Sequence, residues 1–140
     1  MTADEIRTFV NRHAEKFHAN DVVGLAADYT EDGVVESPST GTHNGRRQIA
    51  ESYARLLTAF PDAVFTAETV VAEGDQAAVF FYFAATHQGE FLGLPATGKR
   101  IEFRGVFLDR FESDLLAHER RLYDFSGLLI KLGILKVKPG

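Results

Sequence analysis

The hydrophobic period of this chain changes at Pro61, and that change constrains the fold more than any other feature. Upstream, apolar residues recur with a helical period. Thr2 and Glu5 have the spacing of a capping box. Ile6, Phe9, Val10, His13 and Phe17 then form one stripe of a helix. Asn20 or Asp21 caps a second short helix with Val22, Leu25, Ala26 and Tyr29 on its inner face. DGVVES predicts a short strand and PSTGTHNG a polar loop. A third helix runs from about Arg46, with Ile49, Tyr53, Leu56, Leu57 and Phe60 turned inward. Pro61 stops it, because proline disfavours helical geometry in the residue before it.

Downstream, AVFTAETVVA, QAAVFFYFAATH, RIEFRGVFLDRF and LLAHERRLYD are rich in valine and aromatic residues and predict strands. Glu73-Gly74-Asp75 supplies one hairpin turn and Ser113-Asp114 another, and FSGLLIKLG closes as a short helix ending at Gly133. Helices first and antiparallel strands afterwards predict an α+β fold with three N-terminal helices on one face of a mainly antiparallel sheet. We expect one domain over residues 1–140. VFFYF, residues 79–83, is apolar at both parities, so both faces of that strand avoid water. The helices cover one face, and a second copy of the chain is the expected cover for the other.

Composition narrows the function. A formal net charge of −5 argues against a nucleic-acid partner. Without cysteine there is no disulfide, thiolate metal site or cysteine nucleophile. The opening MTADEIRTFV is acidic, unlike a signal peptide. No apolar run approaches the roughly 20 residues that span a bilayer. The expectation is a soluble, cytoplasmic protein with no membrane partner. Histidines lack metal-ligand spacing, and neither a dinucleotide fingerprint nor a nucleophile elbow is present, so no metal or cofactor is expected.

The last hairpin gives the candidate site. If Ser113 and Asp114 form a two-residue loop, Glu112 faces Leu115, Asp109 faces His118 and Phe103 faces Asp124. Alternation then puts His118, Arg120, Leu122 and Asp124 on the same face as Phe103, Phe107, Asp109 and Phe111. A three-residue loop would break this register. Under the helices, desolvation would make Asp124 a candidate general base for a proton on carbon next to a carbonyl. Arg120 or His118 would steady the enolate. A solvated i, i+4 pair at the sheet edge accounts for the same Arg120–Asp124 spacing.

The segment from THQGEFLGLPATGKRIEF to YDFSGLLIKLG resembles the C-terminal half of the SnoaL-like polyketide cyclases, within the nuclear-transport-factor-2-like superfamily. It carries the G-T-H-x-G-x-F-x-G-x-P-A-T-G-K loop pattern, with Ala85 at its first glycine, and the D-x-x-G-L-L-x-x-L-G ending. YTEDGVVESPSTGTHNGRRQIAESYARLLTAFPD is similar to the same family. The resemblance implies a cone-shaped half-barrel, often dimeric, with a cofactor-free pocket. It also implies an aspartate near the end of the last strand, matched by Asp124, as general base in an intramolecular aldol ring closure. The family often has an acidic residue and then a tryptophan where this chain has His118 and Arg120, so the cavity is expected to be more basic.

The expected activity is therefore cyclisation or isomerisation of a small apolar or polycyclic substrate. Epoxide hydrolysis through Asp109, Arg120 and Asp124, or ligand binding without chemistry, are the alternatives. The loop at residues 85–100 is expected to overhang the pocket mouth and bring His87 to the rim, where it either binds substrate or caps the loop. Tyr29 and Tyr53 are core residues whose hydroxyls can reach the cavity. His13 sits on a buried stripe, where a hydrogen-bonded core histidine is the ordinary occupant.

Overall fold

A computed structural model describes residues 1–138. Helix α1 (Ala3–His18) opens on the expected capping box: Glu5 N–H donates to Thr2 Oγ1 at 3.1 Å, and Thr2 N–H donates to Glu5 Oε1 at 3.0 Å. Its buried stripe is Ile6, Val10 and Phe17. Helix α2 (Val22–Ala27) is capped by Asp21, whose side chain accepts from Gly24 N–H. Strands β1 (Tyr29–Ser37) and β2 (Gly41–Asn44) precede helix α3 (Gly45–Ala59). Strands β3 (Val64–Glu73), β4 (Gln76–Thr86), β5 (Arg100–Glu112) and β6 (Leu115–Tyr123) follow, and helix α4 (Phe125–Lys131) closes the series.

The six strands form one sheet in the order β2-β1-β6-β5-β4-β3. All neighbours are antiparallel except β1 and β6, which run parallel. The architecture is the expected α+β one, with helices over one face of a curved sheet. Strand β2 is a correction, since its residues read as loop. Gly-Thr-His-Asn carries no strand period, and only His43 among them is buried. Pairing with β1, from Val34 opposite Asn44 to Ser37 opposite Gly41, makes it a strand.

Inward residues of β4 and β5 build the core. Val79, Phe81, Phe83, Ile101 and Phe111 are buried, as are Ile49, Tyr53 and Leu57 of α3 above them. On β4, Phe80 and Tyr82 alternate to the other face, and Phe80 remains 46% exposed. The two apolar parities of VFFYF therefore meet different surroundings.

The β5–β6 turn places Ser113 (φ 49°) and Asp114 (φ 63°) in the left-handed region, as the primed hairpin turns require. Glu112 faces Leu115 and Phe111 faces Leu116, the register that the turn predicts. Beyond that point the register shifts. Arg110 faces His118, Asp109 faces Glu119 and Gly105 faces Tyr123. Ala117 is the additional residue of a β-bulge, and Leu116 and Ala117 are both buried although consecutive. Everything after the bulge is turned over relative to a regular hairpin.

Candidate functional site

A cavity of about 600 Å³ lies between the helices and the concave face of the sheet. Its walls are mainly phenylalanine: Phe17 from α1, Phe65 from β3, Phe81 and Phe83 from β4, and Phe107 from β5. Phe81 and Phe107 stack at 4.3 Å between centroids. Residues 90–93 of the β4–β5 loop also line it, tied to α3 by bonds from Gln88 N–H and Gly89 N–H to Ala59 O (2.9 and 3.1 Å).

Three polar side chains meet on the cavity wall: His13, Tyr53 and Arg121. His13 Nε2 is 3.0 Å from Tyr53 Oη, and Arg121 Nη2–H donates to the same oxygen at 3.0 Å. Behind His13, Nδ1 lies 2.7 Å from Asp28 Oδ2, and Lys16 Nζ donates to Asp28 Oδ1 at 2.6 Å. Burial alone would raise the Asp28 carboxyl, but its bonds to His13 and Lys16 outweigh burial and hold it below the usual range. An ionised Asp28 fixes the proton of His13 on Nδ1, which leaves the Nε2 lone pair toward Tyr53 and the cavity.

Behind Arg121 lies a buried carboxylate pair, Asp109 and Glu119, directly opposite each other on β5 and β6. Arg121 Nε–H donates to Glu119 Oε2 at 3.1 Å, and Tyr29 O–H donates to the same oxygen at 2.7 Å. Tyr29 Oη is also 2.8 Å from Tyr53 Oη, and with the Tyr29 proton on Glu119 the single Tyr53 proton goes either to Tyr29 or to His13 Nε2. Burial, followed by the charge of Glu119, pushes the Asp109 carboxyl well up, and its Oδ1 has no hydrogen-bond partner among the described residues. Burial would also raise Glu119, yet Arg121 and the surrounding donors hold it below its ordinary value. The two shifts run in opposite directions, so within the pair Asp109 keeps its proton to higher pH than Glu119 does.

The sequence-derived candidates divide accordingly. Tyr53 and Phe107 line the cavity. Tyr29 and Asp109 stand buried one layer behind it, and Phe103 packs between Phe83 and Tyr123 at 5.0 Å from each. Asp109 and His118 do not pair. His118 and Arg120 lie on the opposite face of β6 from Glu119 and Arg121, where both bond to Glu36 Oε2 of β1 (2.6 and 3.4 Å). The bulge at Ala117 is the reason, since one additional residue exchanges the two faces of the strand. Asp124 is exposed and caps α4, accepting from Gly127 N–H at 2.9 Å. Strand β6 ends at Tyr123, so alternation no longer aims Asp124 at the cavity. Asp109, Arg120 and Asp124, the set expected for epoxide hydrolysis, therefore do not converge.

His87 also departs from its expected place at the rim. It is fully buried against Phe60 (5.6 Å between rings), and its Nδ1 is bonded to Thr97. The loop doubles back between His87 and Lys99 through a bond from His87 N–H to Lys99 O at 2.9 Å, which turns the ring inward. Residues missed from the sequence are His13, Arg121 and Glu119. His13 shares its stripe with Phe9 and Phe17, a signal that places it on the inner face without revealing the cavity. Arg121 and Glu119 were hidden by the bulge.

No group of three or more His, Asp or Glu side chains among the described residues is placed to hold a metal ion. No helix among them is long and apolar enough to cross a membrane.

Solved structures share this fold along nearly the whole chain. AclR from Streptomyces galilaeus has a TM-score of 0.83 and 25% identity, over 99% of this chain and 91% of that one. TsrD from Streptomyces laurentii has a TM-score of 0.85 and 21% identity, over 96% and 99%. A Catenulispora acidiphila protein with a ketosteroid isomerase-like fold has a TM-score of 0.78 and 18% identity, over 91% and 93%. No curated protein matches the sequence. The model of the SnoaL-like polyketide cyclases matches residues 7–132, and with that match spanning the helices, the whole sheet and the cavity between them, this chain belongs to that family.

Proposed function

We propose that the protein forms an enol or enolate from a ketone held in the cavity, as the first step of an intramolecular aldol ring closure or a related isomerisation. The observation that carries this reading is the meeting of His13 Nε2, Tyr53 Oη and Arg121 Nη2 on the wall of an otherwise aromatic cavity. A substrate carbonyl takes the Tyr53 proton in a hydrogen bond, with Arg121 polarising that hydroxyl from behind. With its one proton on the carbonyl, Tyr53 donates to neither Tyr29 nor His13, and the Nε2 lone pair accepts the proton from the neighbouring carbon. Asp28 stabilises the resulting imidazolium through Nδ1–H. The proton returns from Nε2 to carbon or to the new alkoxide, so the cycle needs no other reagent.

A simple aryl methyl ketone, 2-acetonaphthone, tests this without the natural substrate. Wild-type protein in D₂O is expected to accelerate deuterium exchange at its methyl group, followed by NMR. The His13→Gln variant should lose about 10²–10⁴ of that rate with an unchanged thermal midpoint. Undiminished exchange by the variant would remove His13 from the mechanism. Saturable binding by wild-type protein with no exchange would favour the reading as a ligand binder without chemistry.

The same reading includes a homodimer through the outer face of the sheet. Phe80, Val106 and Leu122 lie side by side across β4, β5 and β6, and Leu108 adjoins them. Phe80, Leu108 and Leu122 are 46%, 41% and 52% exposed, a contiguous apolar surface that supports association with a second copy.

A further inference from the structure

One wall of the cavity carries a hydroxyl cluster that the proposed proton transfer does not use. Ser37 ends β1, Ser39 follows it in the β1–β2 turn, and Tyr123 ends β6, and all three line the cavity. Ser39 Oγ is 2.6 Å from Tyr123 Oη and 3.1 Å from Ser37 Oγ, while Ser37 Oγ is 3.5 Å from Tyr123 Oη. Ser37 Oγ also accepts from two backbone groups, Ser39 N–H at 3.3 Å and Thr40 N–H at 3.4 Å.

Counting protons shows what this cluster lacks. Each hydroxyl has one proton to give and two lone pairs to receive with. The backbone occupies both lone pairs of Ser37, so Ser37 can only donate, to Ser39 or to Tyr123. The close Ser39–Tyr123 contact absorbs one further proton. Three hydroxyl protons thus have two places to go. The third stays on Ser39 or Tyr123 with no acceptor in the cluster, and both residues line the cavity.

We infer that the Ser37–Ser39–Tyr123 cluster is a second recognition point of the cavity, donating one hydrogen bond to an acceptor oxygen on an aromatic ketone bound at His13, Tyr53 and Arg121. Tyr123 is the next inward residue after Arg121 on β6, about 7 Å along the strand. Phe81, Phe83 and Phe107 line the same cavity, and Phe103 backs Tyr123 at 5.0 Å. The ligand class is a flat, oxygenated aromatic compound with two acceptor oxygens, one at each polar point. This inference rests on the reading of the cavity as a ketone site.

Fluorescence titration with 2-acetonaphthone and 6-hydroxy-2-acetonaphthone tests it apart from turnover. The hydroxylated ketone is expected to bind wild-type protein about 2- to 12-fold more tightly, the effect of one net hydrogen bond. Ser39→Ala and Tyr123→Phe should each keep the preference, because the remaining hydroxyl still has a spare proton. Adding Ser37→Ala to these two removes the last hydroxyl of the cluster, and this triple variant should still bind 2-acetonaphthone but show no preference between the two ketones. Equal binding of the two ketones by wild-type protein, or a preference that survives in the triple variant, overturns the inference. If neither ketone binds wild-type protein, the ketone-site reading fails and this inference with it.

Discussion

At the scale of single residues, two buried carboxyl groups 10 positions apart in sequence are shifted in opposite directions. Glu119 has a cation, Arg121, on one of its oxygens, whereas Asp109 has an unpartnered Oδ1 and Glu119 as its neighbour. Their replacement by amides should therefore differ. Glu119→Gln leaves Arg121 buried without its counter-charge and is expected to destabilise the fold by about 3–5 kcal/mol in urea unfolding at pH 7. Asp109→Asn replaces one neutral group by another of the same shape and should be close to neutral at low pH. The folded-state value of Asp109 is raised above an unfolded value of about 3.9, so the native state holds the additional proton between the two values. Wild-type stability consequently declines as pH rises through that window. Asp109→Asn removes this decline and should gain on wild type from about pH 4 upward. A variant that instead loses stability relative to wild type as pH rises would mean that Asp109 is ionised in the native state.

Among the elements, the last strand and the helix after it decide which side chains reach the cavity. The Ser113-Asp114 turn is legible in the sequence, and it sets the pairing of Glu112 with Leu115 and of Phe111 with Leu116 as expected. Ala117 is not legible as a bulge, because nothing about an alanine says that the chain will fit one additional residue there. The physical driver is packing: Leu116 and Ala117 are both buried, and the alternation of more and less buried residues resumes one step out of phase. Asp124 shows the same limit. Its place at the end of the strand is readable, but its carboxylate caps α4 through Gly127 N–H. Asp124→Asn, which caps equally well, should leave both stability and ketone exchange unchanged. Asp124→Ala is expected to lower stability by about 1 kcal/mol, read in thermal or urea unfolding. A large loss of exchange in the Asn variant, with its stability intact, would restore Asp124 to the chemistry.

For the molecule as a whole, the sheet separates two surfaces with different tasks. The concave face holds the cavity, and the outer face presents Phe80, Val106, Leu108 and Leu122. Light scattering of the wild type at micromolar concentration is expected to give twice the chain mass. Phe80→Glu, which places a charge on that surface, should give the monomer without unfolding the chain. A monomeric wild type would remove the dimer from the proposed function. By itself the sequence determined what depends on neighbours a few residues away. These were the Thr2–Glu5 cap, the Ile6–Val10–Phe17 stripe, the stop at Pro61, the primed turn at Ser113-Asp114 and the two-sided strand at VFFYF. Local dihedral preference and hydrophobic period fix such features before the chain closes on itself. Tertiary structure alone decided the rest. The β2 pairing, the Ala117 bulge, the inward turn of His87 and the meeting of His13, Tyr53 and Arg121 each depend on which surfaces pack together. Distant segments compete for the same buried space, and that competition leaves no period in the sequence.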